Sequence, residues 1–184
     1  MKQGIWLLMG TTFLITVFPA TAAGPGKGKA ERGAYLVRIG GCNDCHTPLQ
    51  MGPEGPEPVK TKLLSGHPEA MKMPPAPNLG QGPWVWAGAG SMTAFSGPWG
   101  VSFSANLTPD KETGLGSWTE TTFIQALRNC RIGGTGRKML PPMPCEGIAG
   151  ATDDDLKAIF AYLKSIPSVK NKVPAPIEPS QPAK

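Results

Sequence analysis

Apolar residues recur at three- and four-residue spacing in three separated stretches, and each stretch predicts a helix. From Lys29 to about Gly40, Ala30, Gly33, Leu36 and Val37 share one face, and Gly40-Gly41 ends the run. A glycine inside a helix costs about 1 kcal/mol against alanine, so Gly33 suggests a close crossing by another helix. A second helix begins near Trp118, with Ser117 or Thr119 as its N-cap, and turns Phe123, Ile124 and Leu127 inward before Gly133-Gly134. The last is the clearest. Thr152 and Asp155 have capping-box spacing, three aspartates occupy the positive end, Leu156, Ile159, Phe160, Leu163 and Ile166 form one stripe, and Pro167 stops it.

Between the first two helices no period persists. Residues 47–104 are dense in proline and glycine and predict an irregular wrap, which needs something large to pack against. Trp84, Trp86, Phe95, Trp99 and Phe103 are the apolar side chains available for that packing. Residues 169–184, with Pro174, Pro176, Pro179 and Pro182, predict an extended or disordered tail.

The first 22 residues read differently. Lys2 is followed by an apolar run from Ile5 to Phe18 and by Ala20-Thr21-Ala22, the form of a cleavable secretory leader. The run is too short for the ~20 residues that span a bilayer, so no stable membrane insertion is expected after cleavage. Residues 23–168 then form one domain of an exported, periplasmic protein. The formal net charge is +5, one unit of it on Lys2, and no basic stripe interleaved with aromatics accompanies it, which argues against nucleic acid.

Chemistry concentrates at Cys42-Asn-Asp-Cys45-His46. The C-x-x-C-H spacing is that of covalent haem c attachment, with two thiols for the vinyl groups and an imidazole for the iron. One such motif predicts one haem. The sixth iron position has several candidates. Met143 lies in Leu140-Pro-Pro-Met143-Pro144, where prolines restrict the backbone, with Met139 and Met92 as competitors. His67 would give a bis-histidine site, but Gly66-His67-Pro68 has the composition of an exposed turn. Cys130 and Cys145 flank the Met143 segment. In an oxidising compartment their default is a disulfide, the alternative being a Cys145 thiolate on the iron. Arg128, Arg131, Arg137 and Lys138 surround the same segment and could steer acidic partners.

Seven segments, in order, carry a resemblance: Gly33-Ala-Tyr-Leu36, Cys42-Asn-Asp-Cys-His46-Thr47, Asn106-Leu-Thr-Pro-Asp110, Thr113-Gly-Leu-Gly-Ser-Trp-Thr119, Phe123-Ile-Gln-Ala-Leu127, Leu140-Pro-Pro-Met-Pro144 and Asp154-Asp-Leu-Lys-Ala-Ile-Phe-Ala-Tyr162. The chain resembles bacterial periplasmic monohaem cytochromes c related to the haem domains of alcohol and gluconate dehydrogenase cytochrome subunits. The resemblance implies an all-α cytochrome c fold, with three main helices around one covalently bound haem and a long irregular insertion over 47–104. It also implies that Met143 is the sixth ligand and that the terminal helices cross, with Gly33 facing the Phe160/Tyr162 side.

The expected function is single-electron transfer through a His46/Met143 haem c rather than catalysis. The partners would be redox proteins: a dehydrogenase donor, and a terminal oxidase or another cytochrome as acceptor. One alternative is the electron-accepting subunit of a periplasmic dehydrogenase complex. The other is a catalytic haem protein with a labile sixth ligand.

Overall fold

The computed structural model describes residues 27–77, 79 and 82–179, so the leader expected over residues 1–22 lies outside the described residues. Five helices are described: α1 (Lys27–Ile39), α2 (Cys42–His46), α3 (Glu120–Asn129), α4 (Cys145–Ala149) and α5 (Asp153–Ser165). None of them is long and apolar enough to cross a membrane.

The three longer helices follow the sequence periods closely. Thr119 caps α3 by accepting the Thr122 N–H at 3.1 Å, and Thr152 caps α5 by accepting the Asp155 N–H at 3.1 Å. Asp153, Asp154 and Asp155 fill the first turn of α5 and Lys164 its last, each complementing the helix dipole. The apolar faces meet in a cluster of Val37, Leu64, Leu115, Phe123, Leu127, Leu156, Phe160 and Leu163. Phe123 and Phe160 pack with ring centroids 5.1 Å apart. Helices α1 and α5 cross at Gly33. A Cβ built there would lie 2.8 Å from the Tyr162 Cβ and closer still to the Ala158 carbonyl oxygen.

The all-α expectation fails in the wrap, where residues 47–104 hold two antiparallel sheets. Strand β1 (Leu49–Gly52) pairs with β2 (Gly55–Pro58), and β3 (Ala87–Gly88), β4 (Ala94–Gly97) and β5 (Gly100–Phe103) form a second sheet in that order. The two tight turns, Gly52 to Gly55 and Gly97 to Gly100, explain the difference. Gly55 (φ +121°) and Gly100 (φ +89°) take positive φ, which lets the chain reverse over two residues. Strands of two to four residues are too short to display an alternating pattern. Phe95 is buried in the second sheet, while Trp84 and Trp86 are exposed; Trp86 meets Phe95 edge-on at 5.9 Å.

The chain beyond α5 runs extended over this wrap. Asn171 is buried: its Nδ2 donates to the Ser65 and His67 carbonyls at 2.7 and 2.9 Å, and its Oδ1 accepts the Glu69 N–H at 2.8 Å. Further on, Val101 and Ile177 exchange two main-chain hydrogen bonds of 2.8 and 2.9 Å.

Candidate haem-attachment site

Gly41, at φ +66°, turns the chain sharply out of α1 and starts the single-turn helix α2. One helical turn puts Cys42 and Cys45, three residues apart, on the same side. Both thiols are free and half-buried, and Cys42 packs against the central apolar cluster. Burial raises the pKa of each, with the Asp44 carboxylate adding to it, so both remain neutral thiols near pH 7.

His46 ends this turn, with its imidazole buried. Its Nδ1 lies 2.8 Å from the Ala105 carbonyl oxygen. A carbonyl can only accept, so Nδ1 carries the proton and Nε2 keeps a bare lone pair. Burial lowers the His46 pKa, outweighing the Ala105 bond, and the ring is neutral. A neutral imidazole oriented through Nδ1 is the form that binds a metal through Nε2.

The surrounding backbone holds this arrangement. The His46 carbonyl accepts the Gly66 N–H at 2.8 Å, Thr47 Oγ1 accepts the Leu64 N–H at 2.9 Å, and the His67 N–H donates to Ser104 at 2.9 Å. Beyond Ala105, the Asn106 side chain bonds both the N–H and the hydroxyl of Thr108 at 3.0 and 2.7 Å and reaches the Val169 carbonyl at 2.8 Å. Neither Ala105 nor the bond from Gly66 to His46 is signalled by the sequence. Ala105 acts through its main chain alone, and the Gly66 contact spans 20 residues.

His67 corrects the exposed-turn expectation: it is fully buried. Its Nδ1 pairs with Thr93 Oγ1 at 3.0 Å and its Nε2 with the Met71 carbonyl at 3.2 Å, so neither ring nitrogen is left for a metal. The chain bends at His67 and turns just after it, where the Met71 N–H donates to the Pro68 carbonyl at 3.0 Å, but the His67 side chain is buried within the wrap.

Met139 and Met143 are half-buried against the same apolar cluster that Cys42 borders. Met92 instead sits at φ +53° in the turn before β4. The Met143 segment is anchored by Ser102, whose hydroxyl donates to the Pro141 carbonyl at 2.6 Å, and by a Cys130–Cys145 disulfide with Cα atoms 5.6 Å apart. Of the four nearby cations, Arg128 pairs with Asp153 at 2.6 Å, while Arg131, Arg137 and Lys138 lie along the loop itself. Two free thiols one turn apart, an imidazole with a bare Nε2 and thioethers beside the same apolar cluster fit a covalently attached haem.

A C-x-x-C-H turn fed by one terminal helix, which the other crosses at a glycine, is the arrangement that covalent haem attachment needs. The chain's homologues are the cytochrome c subunits of bacterial dehydrogenases. It is 30% identical over 180 residues to the cytochrome c subunit of a quinone alcohol dehydrogenase from Gluconobacter oxydans, covering 95% of this chain and 30% of that one. It is 28% identical over 178 residues to the fructose dehydrogenase cytochrome subunit of Gluconobacter japonicus, covering 94% and 29%. It is 30% identical over 132 residues to the gluconate 2-dehydrogenase cytochrome c subunit of Pantoea cypripedii, covering 72% and 22%. The chain thus spans at most 30% of the length of these three relatives. No protein-family model matches the sequence.

Proposed function

We propose that the chain is a periplasmic electron-transfer protein carrying one haem c, bound covalently to Cys42 and Cys45 and ligated by His46 and Met143. The observation that carries this is the His46–Ala105 hydrogen bond, which leaves Nε2 as a fixed, neutral donor. The haem supplies a one-electron ferric/ferrous couple. His46 would hold its ligating atom in place, the apolar cluster that Cys42 and Met143 border would keep water from the site, and Met143 would supply a thioether that favours the reduced state. The leader at residues 1–22 supports export to the periplasm, where the attachment would be made.

A second reading is favoured by the relatives, which are named as dehydrogenase subunits. In it the chain accepts electrons from a dehydrogenase partner and passes them to an oxidase or another cytochrome. The chemistry at the iron is the same. Export of the full chain in a host that matures c-type cytochromes is the direct test. One haem per chain, resistant to acid-acetone extraction and lost in the Cys42→Ser/Cys45→Ser variant, is expected. Extractable haem, or more than one per chain, would overturn the reading.

A further inference from the structure

The disulfide lies at the base of the loop that carries Met143. Cys130 caps the C-terminus of α3 in the left-handed conformation at φ +50°, which a non-glycine residue holds only when its surroundings enforce it. The chain runs out through Arg131, comes back at Met139, whose N–H donates to the Cys130 carbonyl at 2.8 Å, and passes Met143 before Cys145 opens α4. The Cys145 N–H donates to the Met143 carbonyl at 2.8 Å, so the crosslink holds the residue next but one to the thioether. Other anchors are few. Pro141 and Pro144 are exposed, the Met143 N–H reaches Leu140 at a long 3.3 Å, and Ser102 grips Pro141 from the neighbouring sheet.

The crosslink borders a cleft through its half-buried Cys130 end, Cys145 being buried. Cys130, Cys145, Met139 and Met143 line an open cleft flanked by Arg128 and Lys138. Lys138 favours the approach of an attacking thiolate, whereas Arg128 is paired with Asp153 and Glu146 lines the same cleft; half-buried Cys130 is the more accessible of the two cysteines.

We propose, resting on the His46/Met143 reading, that the Cys130–Cys145 disulfide is a redox-operated clamp on the sixth ligand, opened by a dithiol reductant entering this cleft. One thiolate of the reductant attacks Cys130 Sγ; the S–S bond breaks, and Cys145 leaves as a thiolate and takes a proton. The second reductant thiolate attacks its own sulfur in the mixed disulfide, and Cys130 leaves and takes a proton. Two electrons and two protons pass from the dithiol, which ends as a disulfide. The loop base then opens, and Met143 loses the restraint that keeps its thioether in place. Cys130 and Cys145 are positioning residues.

The test is the rate of carbon monoxide binding to the ferrous holoprotein, which a bound methionine limits. Dithiothreitol-reduced wild type and Cys130→Ser/Cys145→Ser are expected to bind about tenfold or more faster than the disulfide form, since the ligand-free fraction sets the apparent rate and affinity. Reoxidation of the reduced wild type restores the slow rate, which separates release of the ligand from unfolding. Equal rates before and after dithiothreitol overturn the clamp. Met143→Ala separates the two readings. If it is fast while reduced wild type stays slow, the clamp alone fails. If it is no faster than the disulfide form, Met143 is not the ligand and both fail.

Discussion

His46 donates its Nδ1 proton to the carbonyl of Ala105, 59 positions away in sequence, across a distance of 2.8 Å. The bond sets both the tautomer and the direction of the free Nε2, and Gly66 lies between the two backbones it joins. A Cβ on Gly66 would meet the Ala105 carbonyl carbon and oxygen at 2.6 Å, at a φ of +77° that disfavours side chains. Gly66→Ala is therefore expected to cost about 1–3 kcal/mol in urea unfolding of the holoprotein. An unchanged midpoint would show that the carbonyl can move without consequence.

The crossing of α1 and α5 gives a second prediction. Any side chain at Gly33 must displace the Ala158 carbonyl and the Tyr162 Cβ. Gly33→Val should destabilise the fold by about 3 kcal/mol or more, the upper range for overpacking, despite the better helix propensity of valine. Thermal unfolding followed by circular dichroism reads this, and an unaltered Tm would mean that the helices do not touch there.

His67 makes stability depend on pH. Burial lowers its pKa from the ordinary 6.5, against an opposing hydrogen bond to Met71. The folded state thus binds this proton less readily than the unfolded state, and stability rises with pH across the interval. The contribution is complete above about pH 6.5 and is lost as pH falls from there through the lower folded value. His67→Gln should flatten the acid limb of a plot of unfolding free energy against pH. An acid limb of unchanged slope in that variant would assign the dependence elsewhere.

Asn171 ties the extended C-terminal chain to the wrap through three hydrogen bonds to main-chain groups of residues 65–69. Removing the side chain leaves buried groups unpaired, at about 1–3 kcal/mol. Asn171→Ala is expected to make the chain beyond α5 the first site cut in limited proteolysis. Equal protection in both proteins would contradict the anchoring role.

The sequence made the long helices and the attachment turn legible because local chemistry decides them. Thr119 and Thr152 satisfy N–H groups three residues on, and the Cys42–His46 spacing fits one turn. Residues 47–104 were less legible for a physical reason. Gly55 and Gly100 permit two-residue reversals, but pairing between strands this short is settled by packing rather than by pattern. His67 shows the same limit from the other side: glycine and proline neighbours suggest an exposed turn, yet the residue is held by Thr93 and Asn171, 26 and 104 positions away, as well as by nearby Met71. A proline-rich composition likewise excludes regular structure after α5 without revealing that Asn171 is held by Ser65 and His67.

The central claim is that Met143, rather than its half-buried neighbour Met139, completes the iron site. The ferric absorption spectrum tests it most directly, through the methionine-to-iron charge-transfer band of wild type, Met139→Ala and Met143→Ala holoproteins. The band should be present in the first two and absent in the third, whose reduction potential should also fall by about 0.1 V or more as the thioether is lost. A band that survives in Met143→Ala, or disappears in Met139→Ala, would contradict the account.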